Sequence, residues 1–273
     1  MESYASQMST EVRGLRGERT RFRVLGPLEV YGSDDTLIDI HQHKPRMLLS
    51  LLLLNAGTWV SIDRICAVLW EDEPPRSSFG NIKTYVSQLR RTLPPAPPTD
   101  NRIESRAGAY RINLAPGELD VSVFDKMAYR GQEALREGAG EIAVEYFQKA
   151  LELWRGQPFD ELPESITLAE AARLEEQHWA VLEDLIDVRL SRGHQDAVLP
   201  TLRALTIEYP LRERLWGQLL LALHQSGRRA EALSAYQTVY RLLAEELGVE
   251  PGAGLRRLHQ RILDADLSVE TER

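Results

Sequence analysis

The sequence contains one cysteine, Cys66, so an intrachain disulfide and a cysteine-built zinc site are excluded, and the usage fits a reducing compartment. It also lacks a long apolar run. The greasiest stretch, residues 47–54, is far short of the about 20 residues that span a bilayer, so no membrane contact is expected. The first twenty residues are polar and arginine-rich with no apolar core, so no secretion signal is expected. Residues 1–20 and 268–273 read as tails, the first of them flexible. Lysine is scarce too, four against 29 arginines, a bias that bears on the source genome rather than on chemistry.

Catalytic signatures are missing as well. There is no glycine-rich loop followed by Lys and Ser or Thr, no Gly-x-Ser-x-Gly elbow and no His-Glu-x-x-His. His41 and His43 are spaced closely enough to share a metal, but no third ligand lies near, and a solvated loop is the better reading. Cys66 falls on a greasy helix, where an inert buried thiol outweighs a nucleophile. No cofactor, metal or enzymatic activity is expected.

What is present suits a folded chain of about two domains, with 43% hydrophobic and 27% charged residues. The net charge of −8 is unevenly distributed: residues 1–115 sum to +2 and the remainder to −10. Within residues 76–111 seven basic side chains (Arg76, Lys83, Arg90, Arg91, Arg102, Arg106, Arg111) face two acids, Asp100 and Glu104. One half thus suits a polyanion and the other something else.

Residues 21–31 and 36–40, around a turn at 32–35, read as a small antiparallel sheet. Pro45 sits in a tolerated first helical turn, and the leucines that follow make a helix apolar nearly all round, hence buried. Ser61 is an N-cap candidate for a second helix over 62–70. Residues 71–78 form an acidic, proline-containing loop. Residues 81–93 form a third helix with Ile82, Val86, Leu89 and Leu93 on one face. The prolines at 94–98 suggest a linker. However, the hairpin of 103–106 and 109–114 is too short to stand alone and must pack on the preceding helices, so the boundary is drawn at Ala115-Pro116-Gly117. Segment 21–115 is then expected to fold as one module. Beyond it every segment is helical: 123–137, 141–154, 168–192, 195–209, 211–225, 229–247 and 254–267. Gly193 and Gly227 lie 34 residues apart, the period of tetratricopeptide helix pairs, with residues 155–167 inserted out of phase.

At 100° per residue the third helix turns Thr84, Ser87, Gln88 and Arg91 away from its apolar face, with Lys83 and Arg90 on the flanks. Hydroxyls, an amide and a guanidinium read base edges and bind phosphates. The hairpin adds Arg106 and Arg111, and a protruding arginine fits a narrow minor groove. A solvated amphipathic helix and an ordinary hairpin would account for each feature alone. Their combination with the local positive charge favours nucleic acid.

The stretch Asn81-Ile82-Lys83-Thr84-Tyr85-Val86-Ser87-Gln88-Leu89-Arg90-Arg91-Thr92-Leu93, followed by Arg106-Ala107-Gly108-Ala109-Tyr110-Arg111-Ile112, resembles the recognition helix and wing of OmpR-type winged helix-turn-helix regulators. The second half carries Pro210-Leu211-Arg212-Glu213-Arg214-Leu215-Trp216, Ser226-Gly227-Arg228-Arg229-Ala230-Glu231-Ala232-Leu233 and Glu246-Leu247-Gly248-Val249-Glu250-Pro251-Gly252, which look like the bacterial transcriptional activation domain. In this order the two resemble the Streptomyces antibiotic regulatory protein (SARP) family over about residues 21–267.

The resemblance implies an α+β winged helix-turn-helix domain over 21–115 followed by an all-α, tetratricopeptide-like activation domain over 118–267. It implies a cytoplasmic, nucleoid-associated activator of secondary-metabolite genes. Such a protein binds direct repeats in double-stranded DNA beside the promoter −35 element, as a side-by-side dimer, and recruits RNA polymerase and sigma factor. By position, Thr84, Ser87, Gln88 and Arg91 would face the major groove and Arg106 the minor groove. Lys44, Arg46, Lys83, Arg90 and Arg111 would touch the DNA backbone. The loop with Glu71, Asp72 and Glu73 would meet polymerase, with a plain acidic loop as the alternative. Control by ATP or by an aspartyl phosphate is not expected.

Helix pairs stacked in this way offer a concave protein-binding surface. Trp154, Trp179, Trp216, Tyr236 and Tyr240 could line a pocket, although at such spacings aromatics more often form core. The rival readings are an adaptor of tetratricopeptide type without DNA binding, and an enzyme with a non-obvious site.

Overall fold

The computed structural model describes residues 21–264 except 33, 72 and 97–100. Both expected tails, Asp72 and part of the proline segment lie outside the described residues. Packing divides the chain into two compact units, residues 1–179 and 180–273. The division falls inside a helix, and the boundary expected at Ala115-Pro116-Gly117 lies within the first unit.

The first unit begins with strands β1 (Phe22–Arg23) and β2 (Glu29–Val30), paired antiparallel with Phe22 opposite Val30. The third segment of the expected sheet is assigned no strand and is tied on by a bridge between Tyr31 and Leu37, by the Ile38 N–H on the Val30 carbonyl and by the Gly32 N–H on the Thr36 carbonyl. Helix α1 (His43–Leu54) follows. Pro45 lies in its first turn, where an N–H would have no helical partner. Leu48, Leu49, Leu51, Leu52 and Leu53 are all buried, as a helix apolar on every side must be.

Strand β3 (Val60–Ser61) leads into α2 (Ile62–Trp70), capped by the Ser61 hydroxyl, which accepts the Arg64 N–H at 3.2 Å. Helix α3 (Ser78–Thr92) starts three residues before the apolar period does, because backbone bonds from Ser78 to Pro75 and from Asn81 to Ser77 extend its first turn. Its buried residues include Ile82, Val86 and Leu89, with Leu93 buried just beyond. Strands β4 (Ile103–Arg106) and β5 (Ala109–Ile112) form the hairpin, and β3 joins it in the order β3-β5-β4. Three helices with a hairpin set against them make a winged helix-turn-helix.

Side-chain bonds cross residue 116 within the first unit. Arg102, 2% exposed, donates to the carbonyls of Pro94, Pro95 and Asn113 and to both carboxylate oxygens of Glu118. The first two prolines are thereby fixed rather than linker-like. Helix α4 (Asp120–Arg136) opens with Asp120, whose Oδ2 accepts the N–H groups of Val24 and Leu25 at 2.8 and 2.9 Å. Helix α5 (Gly140–Glu152) packs on α4, where Gly131 leaves room for the Phe147 ring: a Cβ there would stand 2.3 Å from a ring carbon. Phe22, Phe124, Tyr146 and Phe147 are fully buried in this unit, each worth about 1.5–3 kcal/mol of apolar transfer. The inserted segment after α5 turns back on β1: Arg155 and Phe159 donate backbone N–H groups to Leu25 and Val24. Helix α6 (Glu164–Ser191) then begins after Pro163 and runs through the division between units.

The second unit contains the end of α6 with α7 (Gln195–Glu208), α8 (Glu213–Gln225), α9 (Arg229–Leu247) and α10 (Ala253–Asp264). Gly193 and Gly227, at φ +77° and +72°, end α6 and α8. Each takes the left-handed conformation that favours glycine, and the following N–H groups of His194 and Arg228 return to Arg189 and Leu223. The 34-residue period is therefore a period of helix ends. Leu215, Leu220, Leu223, Ala232 and Val239 fill the core between α8 and its neighbours.

Candidate nucleic-acid interface

Helix α3 presents a polar face opposite the one on which Ile82, Val86 and Leu89 are buried. Lys83, Thr84, Ser87 and Arg91 are exposed and Gln88 is half-buried. Thr84 Oγ1 donates back to the Gly80 carbonyl at 3.0 Å, and Arg91 Nη2 donates to Ser87 Oγ at 3.2 Å. These are weak, exposed, local bonds that another acceptor can replace. The structure thus brings together hydroxyl, amide and guanidinium groups on one open helical face, the donor and acceptor set that base edges require.

Several basic side chains have protein partners. Lys44 Nζ donates to the Leu69 carbonyl at the end of α2 and lies 5.9 Å from the Trp70 ring. Arg46 bonds Glu161, with Nε 3.0 Å from the carboxylate, and the Leu28 carbonyl. Arg90 Nε donates to the Ile103 carbonyl at 2.8 Å and its Nη2 to Ser105 Oγ, tying α3 to the wing. Arg111 bonds Glu104 at 2.5 Å. Arg102, one of the seven basic residues counted in the sequence, is buried and contributes no surface charge. The surface is therefore less positive than the sequence sum.

The wing has a feature that the sequence reading missed. In the β3-β5 register Val60 faces Tyr110, so Trp59 falls beside Arg111, which faces Glu104 on β4. The guanidinium carbons of Arg111 and Arg106 lie 4.6 and 4.5 Å from the centre of the Trp59 ring. Glu104 is held below the ordinary carboxylate range, first by the Asn113 side-chain N–H and then by Arg111. Arg106 has no carboxylate partner among the described residues. The signal available beforehand was alternation: Trp59 and Ser61 share one face of a strand, with Val60 buried on the other.

The loop after α2 projects Glu71, Glu73, Pro74, Pro75 and Arg76, all exposed. Glu71 holds φ +52°, an uncommon conformation for a residue with a side chain. Phe79, at the start of α3, is 53% exposed beside this loop, a second residue the sequence reading passed over.

Elsewhere the candidates separate. His41 pairs with Asp39, both largely exposed, and among the described residues no group of three His, Cys, Asp or Glu side chains is placed to hold a metal. Cys66 is buried. Of the five aromatics considered as a pocket, Trp154 and Trp179 belong to the first unit. In the second, Trp216 is core with its Nε1 on the Pro210 carbonyl, while Tyr236 stacks on His259 and Tyr240 is exposed. The activation-domain motifs are mostly helix ties. Arg214 bonds Glu183, Asp184 and Asp187, Glu213 accepts the Gly252 N–H, and Arg229 donates to the carbonyls of Ile262 and Leu263 at the end of α10. No helix among the described residues is long and apolar enough to cross a membrane.

Comparison with known proteins gives two family matches. Residues 41–111 match the family described as "Transcriptional regulatory protein, C terminal", and residues 119–263 match "Bacterial transcriptional activator domain". The chain is 35% identical over 257 residues to regulatory protein DnrI of Streptomyces peucetius, covering 92% of this chain and 94% of that one. It is 38% identical to regulatory protein AfsR of Streptomyces coelicolor over 90% of its own length, which is 24% of AfsR. A solved structure, Mycobacterium tuberculosis EmbR in complex with a low-affinity phosphopeptide, superposes with a TM-score of 0.81 at 32% identity, over 90% of this chain and 66% of that one.

Proposed function

Because this chain belongs to the SARP family of transcriptional regulators, we propose that it is a sequence-specific DNA-binding activator of secondary-metabolite biosynthesis genes. Helix α3 enters the major groove, with Thr84, Ser87, Gln88 and Arg91 toward base edges and Lys83 at a phosphate. Arg106 enters the adjacent minor groove. Lys44, Arg46, Arg90 and Arg111 stabilise the domain first; any phosphate contact they make is shared with the protein partners described above. Two protomers lie head to tail on direct repeats beside the −35 element. The loop with Glu71, Asp72 and Glu73 meets RNA polymerase or sigma factor, and the protein works in the cytoplasm on the nucleoid.

The observation that carries this reading is the open polar face of α3 opposite the buried Ile82, Val86 and Leu89, next to a wing arginine that has no carboxylate partner among the described residues. The test is selection from a random duplex pool with the full chain, followed by footprinting. Two direct repeats about one helical turn apart, near 10–11 bp, are expected, and inserting about 5 bp between them abolishes cooperative binding. Absence of any enriched sequence overturns the proposal in favour of a protein-binding adaptor.

A further inference from the structure

We propose that Trp59 is a positioning residue for DNA binding: its ring is the platform that holds Arg106 ready for the minor groove. This rests on the reading of Arg106 given above. The geometry is that of a cross-strand row. Glu104, Arg111 and Trp59 lie side by side on β4, on β5 and at the start of β3, and Arg106 leans onto the same ring from the tip of β4.

The two arginines are not equivalent. Arg111 is neutralised by Glu104, which Asn113 holds in turn through a bond of 2.8 Å. Arg111 therefore serves to fix the ring from one side. For Arg106 the ring is the partner that the structure provides, at 4.5 Å. A ring face attracts a guanidinium through its quadrupole without cancelling its charge. A carboxylate in the same place would restrict the side chain equally well but would compete with the phosphates lining a minor groove. The indole thus reduces the side-chain freedom lost on binding while leaving the positive charge available. Trp59 itself is half-buried at the base of the wing and need not touch DNA.

The test is a double-mutant cycle on the full chain, using the duplex that the wild-type protein selects from a random pool. Trp59→Leu and Trp59→Thr both remove the ring; Trp59→Phe keeps one. Folding of each is checked by circular dichroism, and the two ringless variants give two chances of a folded protein. A ringless variant is expected to bind about 2–5-fold more weakly, and Trp59→Phe within about twofold of wild type. In an Arg106→Ala background, loss of the ring is expected to change affinity by less than about 1.5-fold, because the residue acts through Arg106. An equal loss in both backgrounds would mean that Trp59 only supports the sheet, and no loss in the wild-type background would overturn the proposal outright. If neither ringless variant folds, Trp59→Phe decides. Phenylalanine stacks less well than indole, so a wild-type-to-Phe loss that vanishes with Arg106→Ala supports the platform, and one that persists refutes it. If the wild-type chain enriches no duplex, the DNA reading fails first and this inference falls with it.

Discussion

The guanidinium of Arg102 donates to both carboxylate oxygens of Glu118, at 2.5 and 3.0 Å, with both side chains buried. One partner lies at the root of the wing and the other just before α4. The pair therefore joins the DNA-binding module to the first activation helices within one packing unit.

A truncation follows from that pair. Fragment 21–115 lacks Glu118, Asp120, Arg155 and Phe159, and it leaves the Arg102 guanidinium buried without its carboxylate. Removing one partner of a buried pair costs about 3–5 kcal/mol, a large part of a domain's about 5–15 kcal/mol. Fragment 21–179 should melt cooperatively by circular dichroism. Fragment 21–115 should melt far lower or show no transition, unlike the module expected from its element pattern. Similar melting temperatures would show that the ties beyond residue 115 are marginal.

Substituting Arg91 separates a base reader from a phosphate contact. Arg91→Ala should cost about 1–3 kcal/mol at the selected duplex and relax preference at one position. Affinities for a panel of single-base variants measure this. Uniform weakening with an unchanged preference profile would assign Arg91 to the backbone.

The acidic loop is expected to matter for activation and not for binding. With Glu71, Asp72 and Glu73 all changed to Ala, DNA affinity should hold or rise slightly as negative charge is removed. Transcription in vitro should fall by roughly threefold or more if the loop makes a charge contact with polymerase. Full transcription would move the activating surface to the helical domain or to Phe79.

Asp120 gives the fold a pH dependence with a definite sign. Burial lifts its carboxyl from 3.8 to about 6, against the opposing pull of the Leu25 and Val24 N–H groups and Arg155. A raised folded value means that the stabilising contribution is complete below the unfolded value of about 4 and is lost as pH rises through about 6. Relative to Asp120→Asn, wild type should therefore gain stability as pH falls from 7 to 4.5, by on the order of 2 kcal/mol. Denaturant melts of the two proteins at several pH values read this difference directly. A gap that narrows over the same range would mean that hydrogen bonding to the carboxylate outweighs its burial.

The features legible in the sequence are those set by local rules. The apolar spacing of Ile82, Val86 and Leu89 determines which face of α3 is open, because a helix repeats every 3.6 residues whatever surrounds it. Ser61 caps α2 and Gly193 and Gly227 end helices for equally local reasons: one hydroxyl within reach of an N–H, and a left-handed backbone that other side chains resist. The tertiary structure alone decided the fate of the basic residues. Arg46 meets Glu161 across 115 positions and Arg102 meets Glu118 across 16, and no local period encodes such distances. An arginine in a sequence reads the same whether its guanidinium lies in water, in a buried pair or on an aromatic ring. The division at residue 179 is hidden for the same reason. The insertion after α5 looks like an interruption of a helical repeat until its backbone N–H groups are seen closing on Val24 and Leu25, more than a hundred residues earlier in the chain.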